Sequence, residues 1–173
     1  MDYVNLGRTG LKVSRLSFGT ANFGRVRDDE ACAEVLEAAL EAGINFFDTA
    51  NFYDEGRSER ITGRVFQGRR HDVVIASKVG MRLNEGPNRI GLNRKTIMAE
   101  IEGSLKRLQT DYVDIYYAHQ LDVTTPVDET MRAFDDLVRQ GKVRYLGCSN
   151  FPAWRLSKAL WTSDVGGLAR FDC

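Results

Sequence analysis

The 173-residue sequence has no excess charge, few cysteines and no long apolar run. Lys plus Arg and Asp plus Glu balance at 24 each, so the chain lacks the electrostatic signature of proteins that bind nucleic acid or an acidic membrane surface. No apolar segment approaches the ~20 residues needed to span a bilayer. The first residues are polar and lack the apolar core of a secretory signal. We therefore expect a protein without a nucleic-acid or membrane partner.

The three cysteines and two histidines are too widely separated to suggest a metal site. Cys32, Cys148 and Cys173 form no Cys-x-x-Cys pair, and neither His71 nor His119 stands at a zinc-ligand spacing from them. An odd number of widely spaced cysteines is typical of reduced thiols in a cytoplasmic protein. The pattern predicts a cytoplasmic location and no metal.

Short apolar runs alternate with amphipathic helical patterns along the whole chain, which predicts a single α/β domain over residues 1–173. The predicted strands cover residues 16–23, 44–50, 73–79, 112–119 and 143–149. Ahead of them, two alternating runs flank a turn bounded by Gly7 and Gly10, which predicts an N-terminal β-hairpin. Strict alternation of strands and helices indicates a parallel sheet.

Start signals for the helices stand at Asp28, Ser58, Asn93, Thr125 and Pro152. We expect Thr125 and Asp128 to form a capping box. The predicted buried face of the first helix consists of Ala31, Val35, Ala38, Ala39 and Ala42, and that of the third consists of Ile97, Ile101, Leu105 and Leu108.

Two parallel architectures compete, the doubly wound open sheet and the (β/α)8 TIM barrel. The open nucleotide-binding sheet carries Gly-x-Gly-x-x-Gly after its first strand, and the turn that starts at Gly19 lacks this pattern. The barrel is favoured. Residues 170–173 resemble the start of a sixth strand, so we expect a barrel truncated after about five and a half βα units. Such an arc has open edges, which predicts self-association or a fragment of a longer protein.

Active residues of such barrels lie at the C-terminal ends of the strands. Asp48, Tyr53, Lys78 and His119 all stand at or just beyond predicted strand ends. Each alone has an ordinary structural explanation: a turn cap, a packed aromatic, a solvated charge and a core histidine. Their convergence on one rim predicts an active site.

These residue types suit the reduction of a carbonyl group. Hydride addition leaves charge on oxygen, and Tyr53 can supply the proton. A free phenol has a pKa of about 10, and a neighbouring ammonium such as that of Lys78 favours the phenolate. Asp48 can orient Lys78, and His119 can donate a hydrogen bond to the substrate oxygen.

Several motifs together resemble the aldo/keto reductase family over essentially the whole chain. They are Gly43-Ile44-Asn45-Phe46, Phe47-Asp48-Thr49-Ala50 with Tyr53, Ser77-Lys78, Leu108-Gln109-Thr110-Asp111-Tyr112-Val113-Asp114, His119 and Gly147-Cys148-Ser149-Asn150. The resemblance implies an NADP(H)-dependent reductase of aldehydes and ketones with a catalytic tetrad of Asp48, Tyr53, Lys78 and His119. It also implies cofactor contacts from Thr20, Asp48, Ser149 and Asn150.

Two other functions stay open at this point. The loop of residues 80–92 is similar both to bacterial reductases of the family and to potassium-channel β subunits, so a non-catalytic interaction module is one alternative. His119 favours the reductases, because an asparagine is expected there in the channel subunits. A Schiff-base aldolase using Lys78 is a second alternative, although it leaves Tyr53 without a role.

Overall fold

A computed structural model describes residues 1–24, 28–83 and 85–173 of the chain. The strands are β1 (Tyr3–Asn5), β2 (Lys12–Ser14), β3 (Phe18–Gly19), β4 (Phe46–Asp48), β5 (Val74–Val79), β6 (Val113–Ala118) and β7 (Val143–Cys148). The α-helices are α1 (Asp29–Glu41), α2 (Arg57–Val65), α3 (Arg94–Leu108), α4 (Val127–Arg139) and α5 (Ala153–Gly166). Asn84, within the 80–92 loop, lies outside the described residues.

The main sheet is parallel and its strands follow one another in chain order, β3-β4-β5-β6-β7. A doubly wound sheet reverses its strand order at a switch point, whereas a (β/α)8 barrel does not. The sequential order is therefore that of an arc of a barrel. Over the described residues the sheet is open, because no pairing joins β3 to β7.

Two apolar clusters lie on the two faces of this sheet. The larger one packs the helices against the outer face, around Phe47, Ile75 and Tyr116. The smaller one lies on the inner face and combines Ala76 and Ile115 with residues of the N-terminal pair of strands. β1 and β2 pair in antiparallel register and place Val13 in this inner cluster. The paired strands β1 and β2 thus cover an apolar part of the inner face. The polar residues stand at the C-terminal ends of the sheet strands.

Helix caps fix where two of the crossovers begin. The Asp28 carboxylate accepts a hydrogen bond from the Ala31 amide, and the Asn93 side chain accepts one from the Thr96 amide. The predicted buried face of α3 is confirmed, with Ile97, Ile101, Leu105 and Leu108 all buried.

Two predictions for the helices were wrong. The buried residues of α1 are Cys32, Leu36 and Ala39, whereas Ala38 and Ala42 are exposed. Burial of the larger Leu36 side chain stabilises the fold more than burial of an alanine does, so Leu36 determines which face of α1 points inward. The expected capping box does not form either. Pro126 is the N-cap of α4, and the Thr125 hydroxyl donates instead to Asp122.

The last residues lie alongside β7. Phe171 forms a parallel bridge with Leu146 of β7, and the Cys148 amide donates to the Cys173 carbonyl at 3.0 Å. This pairing matches the strand start expected at residues 170–173. In the described part of the chain, no helix is both long and apolar enough to cross a membrane.

Candidate active site

The parallel register brings the ends of neighbouring strands to one rim. Asp48 is the last residue of β4 and pairs with Ala76 of β5. Two residues later in β5, Lys78 pairs with Tyr117 of β6. Since side chains alternate along a strand, Ala76 and Lys78 share the inner face. His119 directly follows β6 and its amide donates to the Val79 carbonyl at 2.8 Å.

The Lys78 ammonium is the centre of the site. Lys78 as a whole residue is only 6% exposed. It donates to a carboxylate oxygen of Asp48, to the Thr49 carbonyl at 2.8 Å and to the Tyr53 hydroxyl oxygen at 3.0 Å. An ammonium has three donors and no acceptor. All three donors are therefore used, and the Tyr53 oxygen accepts from Lys78. The proton of the Tyr53 hydroxyl is left available to another acceptor.

Asp48 is the counter-ion of Lys78 in a largely buried setting. Burial raises the pKa of the Asp48 carboxyl, and the nearby Lys78 ammonium opposes that rise. Among the described residues Lys78 is the one cation paired with this carboxylate, so the two side chains depend on each other.

A tight turn aims Tyr53 at Lys78. In the turn Tyr53–Gly56, Asp54 (φ 45°), Glu55 (φ 52°) and Gly56 (φ 78°) all have left-handed backbone conformations. Two successive non-glycine residues in this region cost about 1–3 kcal/mol each. Such a turn persists only when its surroundings impose it, and it ends at the N-terminus of α2.

The His119 ring lies edge-on to Tyr53, with ring centroids 5.8 Å apart. Burial, with the Lys78 charge adding to it, lowers the pKa of His119 to about 4. The imidazole is therefore neutral near pH 7. Its Nδ1 is buried and has no hydrogen-bond partner among the described residues. A neutral imidazole carries one donor and one acceptor, so His119 can orient a substrate oxygen without carrying charge.

Ser149 and Asn150 follow β7 at the same rim. Asn150 has a left-handed backbone (φ 59°), and its side-chain amide nitrogen donates to the His119 carbonyl at 2.8 Å and to the Ser149 hydroxyl at 3.1 Å. These contacts tie the end of β7 to the end of β6. Ser149 is partly buried and Asn150 is exposed, so the pair presents a hydroxyl and an amide next to His119.

Thr20 differs from the other predicted residues, because its polar atoms are already engaged inside the protein. It is fully buried, its amide and hydroxyl both donate to the Asp48 carbonyl at 3.0 Å, and its hydroxyl also contacts Ser58 at 2.6 Å. Thr20 therefore fixes the end of β4 beneath Asp48. A direct cofactor contact from Thr20 stays a prediction.

Tyr117 is a residue of this site that the sequence analysis missed. It pairs with Lys78 in register, and the Lys78 nitrogen lies 6.0 Å from its ring centroid. Burial raises the pKa of the Tyr117 phenol well above its usual value, so its hydroxyl stays protonated. Alternation along β6 was the available signal, since Tyr117 precedes His119 by two positions.

A cleft of about 540 Å³ lies between the loops that follow β5 and β6. Its lining includes Gly91, Gln120 and Asp122. Burial raises the pKa of the Asp122 carboxyl, but hydrogen bonds from Thr124, Thr125 and the Leu92 amide bring it to about 2. Asp122 thus stays charged and joins the two loops that form the wall of the cleft.

Comparison with known sequences agrees with this geometry. The sequence model of the Aldo/keto reductase family matches residues 15–169. The chain belongs to the aldo/keto reductase family. This is a family of oxidoreductases that act on carbonyl compounds and generally use NAD(P)H. The predicted resemblance is confirmed.

The similar proteins include some named as oxidoreductases and some named as potassium channel subunits. An uncharacterized oxidoreductase, YrpG of Bacillus subtilis (strain 168), is 49% identical over 92% of this chain and 52% of its own length. A probable voltage-gated potassium channel subunit beta of Oryza sativa subsp. japonica is 44% identical over 92% of this chain and 49% of its own. The aldo-keto reductase YhdN of B. subtilis is 38% identical over 87% and 47%. The chain spans about half the length of these relatives.

Proposed function

We propose that this protein forms part of a (β/α)8 barrel that reduces aldehydes or ketones to alcohols with NADP(H), with Tyr53 as the proton donor. The observation that carries the proposal is the position of the Lys78 ammonium between Asp48 and Tyr53. The ammonium binds Asp48 and Tyr53 together, with 3.0 Å between the Lys78 nitrogen and the Tyr53 oxygen. Because Tyr53 accepts from Lys78, its own proton is directed to another acceptor. A carbonyl oxygen that gains negative charge is such an acceptor.

The positive charge of Lys78 also stabilises the phenolate that remains after proton transfer. Asp48 keeps that charge in place and prevents the ammonium from rotating away from Tyr53. His119, being neutral, is not a competing acid at neutral pH. Its role in the proposal is to donate a hydrogen bond that directs the substrate oxygen toward Tyr53.

The residues at the end of β7 fit the nicotinamide end of a cofactor. Ser149 and Asn150 offer a hydroxyl and a primary amide beside His119, and these groups match the donor and acceptor of a carboxamide. The bound reduced nicotinamide would supply the hydride. The left-handed backbone of Asn150 turns its side chain back over the rim and so presents the amide beside the site.

Turnover of an aromatic aldehyde with NADPH tests the proposal, with Tyr53→Phe as the matched variant. Phe keeps the ring and removes only the hydroxyl. We expect NADPH to bind both proteins with similar affinity in a fluorescence titration, and turnover to fall by at least ~10²-fold in Tyr53→Phe, as for the loss of a general acid. Equal turnover in the two proteins would refute the assignment of Tyr53.

A non-catalytic interaction role is the second candidate, and the likeness to the potassium channel subunit of O. sativa supports it. Helix α5 also exposes two large aromatic side chains, with Trp154 62% and Trp161 66% accessible. Under this alternative NADPH binds tightly without any turnover. The aldehyde assay above therefore separates the two functions.

A further inference from the structure

We propose that the ion pair between Glu59 and Arg107 is a positioning pair that holds Tyr53 and Lys78 in contact from the helix side of the sheet. The inference rests on the proposed function, in which the Tyr53–Lys78 contact directs the proton. Glu59 lies in α2 and Arg107 in α3, so neither touches the reacting groups directly.

The pair is deeply buried for a charged contact. The Glu59 side chain is 0% exposed and that of Arg107 is 17% exposed, with Arg107 Nε donating to Glu59 at 2.6 Å. Breaking a buried pair leaves an uncompensated charge, whereas an apolar replacement of both partners is often neutral or stabilising. Stability alone therefore does not require an ion pair at this position, and its contacts suggest a different role.

One contact reaches the turn that carries Tyr53. Gly56 ends the left-handed segment, and a Cβ added there would lie 2.5 Å from Arg107 Cδ and 2.6 Å from Arg107 Nε. The Arg107 side chain thus passes directly against the backbone of the turn. Asp54 and Glu55 occupy unfavourable backbone regions that need such outside support. Because Glu59 holds its guanidinium, the Arg107 side chain provides a fixed packing surface for this turn.

The other contact reaches the strand that carries Lys78. The Ser77 hydroxyl donates to the second carboxylate oxygen of Glu59 at 2.6 Å, in a fully buried position. Ser77 and Lys78 are consecutive in β5, so their side chains lie on opposite faces of the sheet. Glu59 therefore anchors the backbone of β5 on the outer face at the point where Lys78 extends inward.

One carboxylate thus binds both supports. Through Arg107 it fixes the turn that follows Tyr53, and through Ser77 it fixes the strand position of Lys78. Loss of the pair lets these two supports move independently. A misplacement of about 1 Å in catalytic geometry can reduce a rate by ~10²-fold.

The test replaces Arg107 by methionine in the 173-residue chain, with Arg70→Met as the matched control. Arg70 pairs with Asp114, both side chains are 13% exposed, and Asp114 also accepts from the Ile75 amide of β5. The control therefore removes a comparably buried pair that contacts the same strand, but near its opposite end. We expect kcat for the aldehyde to fall at least ~10-fold in Arg107→Met with KM within twofold, and Arg70→Met to keep the parent kcat.

A second readout does not depend on turnover. The six tyrosines are labelled with 3-fluorotyrosine, and the ¹⁹F resonance of Tyr53 is identified by its loss in Tyr53→Phe. We expect this resonance to shift by more than its linewidth in Arg107→Met and to stay in place in Arg70→Met. If the parent reduces no aldehyde, the proposed function fails, but the ¹⁹F comparison still decides whether the pair positions Tyr53.

Ser77→Ala is the variant to use if Arg107→Met does not fold. It removes one hydroxyl and leaves the ion pair intact, so its structural effect is small. We expect the Tyr53 resonance to move by more than its linewidth from its position in the parent chain, because the support on the Lys78 side is lost. An unmoved Tyr53 resonance in every folded variant, or an equal displacement in Arg70→Met, overturns the proposal.

Discussion

Replacing Lys78 by methionine removes the cation that organises the site while keeping most of the side-chain volume. The ammonium contacts Asp48, the Thr49 carbonyl and Tyr53. Removing one partner of a fully buried ion pair costs about 3–5 kcal/mol. The Asp48 side chain is 26% exposed, so water compensates part of this loss. We expect the free energy of unfolding to fall by about 2–3 kcal/mol at pH 7.

The loss should shrink in acid. Burial already raises the pKa of Asp48, and removal of Lys78 takes away the cation that opposes this rise. A carboxyl whose pKa is higher in the folded state binds a proton more tightly there. The protonated carboxyl therefore stabilises the folded state relative to the unfolded state at low pH, and this stabilisation is lost as pH rises through the folded-state pKa. The difference between parent and Lys78→Met should therefore be smaller at pH 5 than at pH 7.

Urea unfolding at both pH values, at low micromolar protein, measures the effect. The control is the double variant with Asp48→Asn, which removes the orphaned charge. We expect it to recover at least about 1 kcal/mol of the loss at pH 7. A loss below about 0.5 kcal/mol, or one equal at pH 5 and pH 7, would contradict the view that Lys78 and Asp48 form a buried, mutually dependent pair.

Three further predictions concern stability. Gly63→Ala should lower the free energy of unfolding, measured with a chemical denaturant, by about 1–3 kcal/mol, because its Cβ would lie 2.4 Å from the Leu108 carbonyl oxygen. An unchanged unfolding midpoint would contradict the close packing of α2 on α3. Asn93→Ala should cost ~1 kcal/mol through loss of the cap to Thr96, and Asn93→Asp, which retains an acceptor, should not. The pKa of His119 is lowered from 6.5 to about 4 in the folded protein. Between these two pH values the imidazole binds a proton only in the unfolded state. The parent should therefore lose about 1–2 kcal/mol more than His119→Gln as pH falls from 7 to 4, allowing for partial exposure; parallel pH profiles would refute this.

Much of the framework followed from periodic patterns and caps. The core positions of β5 and β6 form continuous apolar runs, and the caps at Asp28 and Asn93 depend on the residue and its immediate neighbours alone. Such local signals survive in the fold because nothing competes with them. The barrel rule then predicted that Asp48 and Lys78 meet, since parallel strand ends share one rim.

Other features depend on contacts between distant segments, and the sequence did not predict them. The Thr125 hydroxyl has two possible partners, and Asp122 binds it in place of the helix end. The left-handed residues Asp54 and Glu55 precede Gly56, whose backbone packs against Arg107 of α3, and no local propensity records that contact. The same holds for Glu59, whose burial depends on Arg107, 48 positions further along the chain.

Isotope transfer tests the central claim most directly. The 173-residue chain is incubated with an aromatic aldehyde and NADPH deuterated at the transferable position, and the product is analysed by mass spectrometry. The account predicts an alcohol with one deuterium on the former carbonyl carbon, and almost none from Tyr53→Phe although NADPH still binds. Equal product from both proteins, or an aldehyde trapped by borohydride on Lys78 without deuterium transfer, would contradict it.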